Sequence, residues 1–261
     1  MTINNIARNQ MSESMMRVAS GQRVNSAADD AAGLGIIENM TAQINGLDQG
    51  TRNTADMQAL AQTAEGGLDN ISDSLNRIRE LSVQASNGTL SQQNRDQIQS
   101  EINQLADGIQ SQVRNTQFNG MNLLDGSAAG GLHTASGADG SGATLRINDM
   151  SSLAQAMTTF NVTESFDISE IDAAISEVSS ERATIGATIG TFDHTMNANM
   201  TSSINLSESR SRVRDADIAA EMMAVNQERV ITEMQVLMQQ QAQEQVENNG
   251  QRLVVGASAM V

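Results

Sequence analysis

From Ile36 to Ser86 the apolar residues recur at steps of three and four: Ile37, Met40, Ile44, Leu47, then Met57, Ala61, Ala64, Leu68, Ile71, Leu75, Ile78, Leu81 and Ala85. That spacing winds one narrow stripe along a single helix. The stripe weakens to Thr51 and Thr54 between Leu47 and Met57. From Ile78 to Leu81 a second step of three follows directly on another, where a coiled coil overwinds slightly. At about 1.5 Å per residue, such a helix is longer than a compact domain is wide. It cannot bury itself, so partner helices of similar length are required.

Composition says what kind of partners these are. The chain of 261 residues has no proline, and its aromatic content is four Phe with no Trp or Tyr. Without proline nothing punctuates a long helix, and without aromatic bulk a globular core loses its usual filler. An elongated, mostly α protein built on Leu, Ile, Val, Ala and 16 Met is expected; methionine at these spacings reads as adaptable packing rather than a ligand set. Cysteine is absent, which excludes disulfides and thiolate metal sites. No apolar run reaches the length of a membrane span, so no membrane insertion is expected. Met1 to Arg17 carries Arg8, Glu13 and Arg17 with no apolar segment, so a cleaved secretory signal is not expected and export would take another route.

A net charge of −16 speaks against nucleic-acid binding, which needs a basic surface. All 15 basic residues are Arg, whose charge persists far above the range in which lysine titrates. Either the protein works at high pH or salt, or its genome is biased in composition; assembly compared at neutral pH and near about pH 10 separates the two.

Ile3, Ile6, Gln10, Met15 and Val18 form a loose helical stripe ahead of Gly21, a residue suited to a helix C-cap. Asn25 or Ser26 suits an N-cap, and Asp29 with Asp30 suits the positive end of a helix. Asn87-Gly88 ends the long helix. Ile98, Ile102, Leu105, Ile109 and Val113 predict a partner folding back antiparallel. Gly126 to Gly142 reads as loop. Ala143, Leu145 and Ile147 alternate with polar residues as a short strand, with Met121 to Leu124 as its hairpin partner. Phe118, Phe160 and Phe166 are candidates for a miniature core there. Helical period returns at Ile171, Ile175, Val178, Ile185, Ile189, Phe192, Met196 and Leu206, interrupted by Arg182, Asn199 and Ser203. Gly186 and Gly190, one turn apart, predict close approach of another backbone. A last stretch runs Ile218, Met222, Val225, Met234, Met238, Ala242 and Val246 before a small apolar tail from Leu253. Two helical arms, one from each end of the chain, thus flank a compact insertion, and further copies of the chain are the natural partners for their apolar stripes.

Four stretches resemble bacterial flagellin in the family's order. Ser20 to Leu34, with Arg23, Asn25, Asp29, Asp30 and Gly33, is similar to its N-terminal signature. Arg77 to Asn87, with Arg79 and Glu80, is similar to the second signature. Asn115 to Gly120, with Gln117, Phe118 and Asn119, resembles the turn into its hairpin, and Ser211 to Asp217, with Arg212, Arg214, Asp215 and Asp217, the junction before its last helix. The resemblance implies an elongated antiparallel helical bundle in which both termini form an inner coiled coil, residues 1–26 and 215–261. It implies an outer layer of three long helices, residues 27–125 and 166–214, and a reduced variable, hairpin-bearing segment at 126–165. It implies a structural subunit, not an enzyme, that polymerises into the flagellar filament for motility, with no cofactor and no metal.

Implied partners are other copies of the chain, an export chaperone of the type III apparatus, and cap and junction proteins. In many members a vertebrate Toll-like receptor reads the second signature, and Leu75, Arg77, Leu81, Ile98 and Glu101 match that epitope by position. By residue type Leu75, Leu81 and Ile98 read first as core or subunit-interface positions and Arg77 as a solvated or interface charge, with receptor binding secondary. Relative to the family's usual pattern the first helix is short, and the end at Gly256 to Val261 replaces a leucine-rich turn. The alternatives are a hook–filament junction component, which would not self-assemble, and a secreted adhesin or immune ligand, for which the short insertion offers little surface. Outer Ser and Thr from Leu132 to Thr163 are glycosylation candidates by resemblance. His133 and His194 stand alone, with no H-E-x-x-H motif.

Overall fold

The computed structural model describes the backbone of residues 2–258 and the side chains of 9–246. Among the described residues two consecutive small hairpins stand between three helices before them and three after: α1 (Thr2–Ser20), α2 (Ala31–Ala85), α3 (Gln92–Asn115), β1 (Gln117–Phe118), β2 (Met121–Asn122), β3 (Leu132–Ala135), β4 (Gly142–Leu145), α4 (Ser151–Thr159), α5 (Ser169–Arg214) and α6 (Ile218–Ser258). The chain forms two compact units: residues 42–205, and residues 1–41 with 206–261.

In the unit of residues 42–205 the stripe of α2 is the core. Ala61, Ala64, Leu68, Ile71, Leu75 and Ile78 are all completely buried. The weak part of the stripe holds because Thr54, also fully buried, donates its hydroxyl to the Gly50 carbonyl at 2.7 Å. Asn87 ends the turn after α2 by accepting the Thr89 N–H at 3.0 Å, and Ser91 caps α3. α5 runs antiparallel to α2: Asp48–Ser203, Gln58–Asp193, Asp69–Arg182 and Arg79–Asp172 pair in turn, each step along one helix matched by an equal step back along the other. The interruptions of the α5 stripe are polar ties. Arg182 meets Asp69 at 2.8 Å. Asn199, buried, donates to the Ser136 carbonyl at 2.7 Å.

The insertion differs from its expected form. Met121–Asn122 pairs with Gln117–Phe118, not with the later strand. That later strand, β4, pairs with β3, which lies inside the stretch expected as loop. The local reason is the turn: Asn119 (φ 49°) and Gly120 (φ 78°) are both left-handed, the two-residue geometry that closes a hairpin on the nearest strand. β3 escaped notice because Leu132-His133-Thr134-Ala135 carries only one large apolar residue. α4 was likewise unexpected; Leu153, Ala154 and Met157 bury one face of it. Phe160 and Phe166 meet edge to face, centroids 5.9 Å apart. Phe160 belongs to the same continuous core as α2, and Phe118 and Phe166 pack against that core rather than forming a separate miniature one.

Glycines set the close approaches, at positions other than those expected. A Cβ on Gly186 or Gly190 would meet nothing within 4 Å. On Gly50 it would lie 2.0 Å from the Ser136 carbonyl oxygen, and on Gly46 2.9 Å from the Ala138 Cα. Gly46 and Gly50, one turn apart on α2, form the groove that seats the β3–β4 loop, which Asn53 holds by donating to the Ala135 carbonyl at 2.9 Å. Glycine to alanine in a helix interior ordinarily gains about 1 kcal/mol. Gly66→Ala, at an exposed site with nothing within 4 Å, is expected to raise the melting temperature. Gly50→Ala is expected to lose roughly 2–4 kcal/mol, because the obstacle is backbone and no rotamer relieves it. Thermal melts of the two variants check the pair.

In the unit of residues 1–41 and 206–261, α1 packs against α6, and Arg17 Nη1 meets Glu221 Oε1 at 3.4 Å. The two arms thus lie side by side, as the palindromic order of the elements suggested. Val24 and Ile37 are the buried large hydrophobic residues among the described ones of this unit.

Candidate assembly site

The first and last signature motifs meet in a backbone clasp. Gly21 (φ 69°) closes α1 by donating its N–H to the Arg17 carbonyl at 2.8 Å. The chain then forms an antiparallel bridge between Gln22 and Asp215. Arg23 N–H donates to Arg214 O at 2.7 Å, and Ala216 N–H to Gly21 O at 3.0 Å. The Arg23 guanidinium adds a bond to Val213 O at 2.7 Å, and Val24 is buried beside the clasp. Sequence distance hid this pairing; the only signal was that both motifs interrupt helices at opposite ends of the chain.

Two adjacent aspartates divide the work of the turn. Asp30, not Asn25 or Ser26, is the N-cap of α2: its Oδ1 accepts the Gly33 N–H at 2.8 Å and its carbonyl the Leu34 N–H at 2.9 Å. A Cβ on Gly33 would sit 2.3 Å from Asp30 Oδ2, so a side chain there would push the capping carboxylate aside. Asp29 instead gathers the preceding loop, accepting from Ser26 N–H at 2.8 Å, Asn25 N–H at 3.1 Å and the Ser26 hydroxyl at 3.0 Å. On the other side Asp217 caps α6 through the N–H groups of Ala219 and Ala220 at 3.0 and 3.2 Å. Asp215 accepts the Ser211 hydroxyl, and Arg212 reaches the Ser209 hydroxyl at 2.9 Å.

The backbone N–H of Ser26, then that of Asn25 and the Ser26 hydroxyl, hold the Asp29 carboxyl below the usual carboxylate range. A group depressed on folding contributes stability that is complete above its unfolded value, here 3.8, and is lost as pH falls through the folded value. Asp29→Asn is therefore expected to flatten the fall of melting temperature between about pH 5 and about pH 3 while lowering the melting temperature at neutral pH. Melts across that range check it. Asp125, Asp139 and Asp167 are depressed in the same way, so the fall is reduced rather than abolished.

The candidate receptor residues split by burial. Leu75, Leu81 and Ile98 lie in the core at 0, 2 and 8% exposure. Arg77 is on the surface, bonded to Glu101 at 2.8 and 3.0 Å and to Glu80 at 3.0 Å. Arg79 pairs with Asp172 at 2.6 Å. Gln117, Phe118 and Asn119 form the first hairpin. His133 and His194 are both exposed. Among the described residues no group of three or more His, Asp or Glu is placed to hold a metal ion, and no helix is long and apolar enough to cross a membrane.

The feature most consequential for assembly is the outside of α6. Met222, Met223, Val230, Met234, Leu237 and Met238 are 49 to 68% exposed. Glu221, Val225, Glu228, Thr232 and Gln235 are half-buried and mark the opposite face. The half-buried face is mostly polar, whereas the large apolar side chains point outward, so the apolar side of this helix is the open one.

The model for the bacterial flagellin N-terminal helical region matches residues 1–129, and that for the C-terminal helical region residues 168–249. The flagellin of Halalkalibacterium halodurans is 37% identical over 245 residues, covering 91% of this chain and 89% of that one. The chain belongs to the bacterial flagellins. The Bacillus subtilis flagellin is 33% identical over 287 residues, covering 95% and 94%. The crystal structure of Bacillus cereus flagellin superposes with a TM-score of 0.51 at 34% identity, over 57% of this chain and 88% of that one. Like its family, this flagellin is a structural subunit of the extracellular flagellar filament and not an enzyme. Residues 130–167 fall between the two family regions, and they carry β3, β4 and α4.

Proposed function

We propose that the filament is built by the terminal unit borrowing its core from neighbouring copies. One observation carries this: among the described residues, thirteen of the sixteen exposed large hydrophobic ones lie in the unit of residues 1–41 and 206–261, whose described core is Val24 and Ile37. The other unit is closed around its own core. An open apolar surface of that extent is an interaction site, and repeated contacts of heterologous type do not close, so they give a helical tube.

In this reading residues 1–26 and 215–261 form the inner coiled-coil layer, 27–125 and 166–214 the outer helical layer, and 126–165 the shortened outward segment. Arg23, Arg212, Arg214 and Asp215 serve assembly by keeping the two arms side by side through the clasp. The same open face of α6 suits an export chaperone before secretion, and cap and junction proteins at the ends of the filament. Arg77 and Glu101 are the accessible part of a Toll-like receptor epitope, and Leu75, Leu81 and Ile98 support it from within.

The test is seeded growth. Subunits dissociated by acid or heat, returned to neutral pH with filament fragments and imaged by electron microscopy, are expected to give long, thin tubes. Deleting Met1 to Ala19 is expected to abolish them. Persistent monomers of the full chain at every salt concentration would favour a junction component.

A further inference from the structure

We infer that the exposed methionines of α6 are an oxidation site whose sulfoxide form keeps free subunits out of the filament. The inference rests on the assembly surface proposed above. Cys, Trp and Tyr are absent while 16 Met are present, so no thiol, indole or phenol competes for a two-electron oxidant and the thioether sulfurs take it.

Among the described residues these methionines range from buried to exposed, and outside α6 Met15, Met16 and Met200 are 54 to 56% exposed. Met57, Met150 and Met157 are in the core at 9, 0 and 2% exposure, whereas Met222, Met223, Met234 and Met238 are at 49, 67, 60 and 68%. Met223, Met234 and Met238 also share the side of α6 turned away from its half-buried face. An oxidant meeting the free subunit therefore reaches the assembly surface and spares the packing that holds the fold.

With hydrogen peroxide the step balances simply. A sulfur lone pair attacks one peroxide oxygen, the O–O bond breaks and an S–O bond forms. The thioether is oxidised by two electrons and the peroxide is reduced to water. The product exchanges a pliable apolar group for a polar oxygen that must be solvated. On the open subunit water supplies that solvation; between subunits it is lost. In the filament the same sulfurs are covered, so the modification acts before assembly and not after it. Sulfoxide reductases reverse it.

The experiment treats monomers and preformed filaments separately with dilute hydrogen peroxide. Peptide mass spectrometry then locates added oxygen, and circular dichroism and seeded growth are followed. In monomers one oxygen is expected at each of Met222, Met223, Met234 and Met238, and also at the exposed Met15, Met16 and Met200, with Met150 and Met157 untouched and the melting curve unchanged. Growth is expected to fall at least about tenfold and to return after sulfoxide reductase treatment. In filaments the four sites are expected to be protected.

The fourfold variant M222L, M223L, M234L, M238L is expected to keep its untreated growth rate after peroxide, although Met15, Met16 and Met200 still take up oxygen. Undiminished growth of fully oxidised wild type would overturn the inference and leave the assembly surface standing; failure of untreated wild type to grow would overturn both. Equal sensitivity of the leucine variant would place the damage elsewhere and overturn it. Were that variant unable to grow even untreated, the reductase decides: recovery of wild-type growth supports the inference, and no recovery overturns it.

Discussion

Replacing Met234 and Leu237 together by aspartate is expected to stop filament growth while leaving the melting temperature of the free subunit unchanged. The two side chains are 60 and 59% exposed, so a carboxylate at either position stays hydrated in the monomer. Between neighbouring arms that hydration is stripped away. An unpaired buried charge costs several kcal/mol, so growth from seeds is expected to fall by more than about a hundredfold. Sedimentation of seeded reactions against wild type measures it. A variant that grows normally would mean that this face of α6 stays wet in the filament.

The second large effect separates core from surface within one signature. Leu75 is completely buried in α2, and Leu75→Ala is expected to lose about 2–5 kcal/mol through lost apolar contact and the cavity left behind. Two residues on, Arg77 is half exposed and bridges to Glu101 and Glu80. Exposed ion pairs are screened by water and salt, so Arg77→Ala is expected to change stability by less than about 1 kcal/mol. Chemical denaturation of both variants checks the contrast. It also sorts any loss of receptor signalling: an Arg77→Ala effect at unchanged stability reports contact, whereas a Leu75→Ala effect is expected to follow the unfolded fraction.

Periodicity made the long helices legible. The stripe on α2 runs through the completely buried Leu68, Ile71, Leu75 and Ile78, because a helix packed along its whole length repeats one requirement every turn. On α5, Ile171, Val178, Ile185 and Phe192 are buried for the same reason. The polar interruptions of that stripe, Arg182, Asn199 and Ser203, are satisfied positions, and so is Glu181, which the periodicity does not single out. Glu181, 3% exposed, accepts both the backbone and the side-chain N–H of Asn148 at 2.9 and 2.7 Å. A buried carboxylate is tolerated only where its partner is supplied, and that partner comes from a segment with no period of its own.

What stayed hidden was non-local and small. The pairing of β3 with β4 is fixed as much by the groove at Gly46 and Gly50, and by Asn53 and Asn199, as by its own side chains. Glycine spacing does announce a groove, but it does not say which backbone fills it; Gly186 and Gly190 carry the same spacing and stand open in the subunit. The clasp joining Gln22 to Asp215 is made of backbone groups, so its motifs were recognisable by resemblance while their contact was not. The N-cap lies beyond Asn25 and Ser26, on the aspartate pair suited to the helix's positive end, for a related reason. Asn25, Ser26, Asp29 and Asp30 are all good caps, and only the traced bonds show Asp30 on the helix and Asp29 on the loop.

On the proposal above, the terminal unit completes its core only with neighbouring copies. Amide hydrogen exchange of the free subunit and the filament, resolved by peptide, tests it directly. The amides of α6 from Ile218 to Val246 are expected to exchange rapidly in the monomer and slowly in the filament, while those of α2 from Met57 to Ala85 are slow in both. Equal protection of α6 in monomer and filament would mean that the arms are finished before assembly and that the filament is held by another surface.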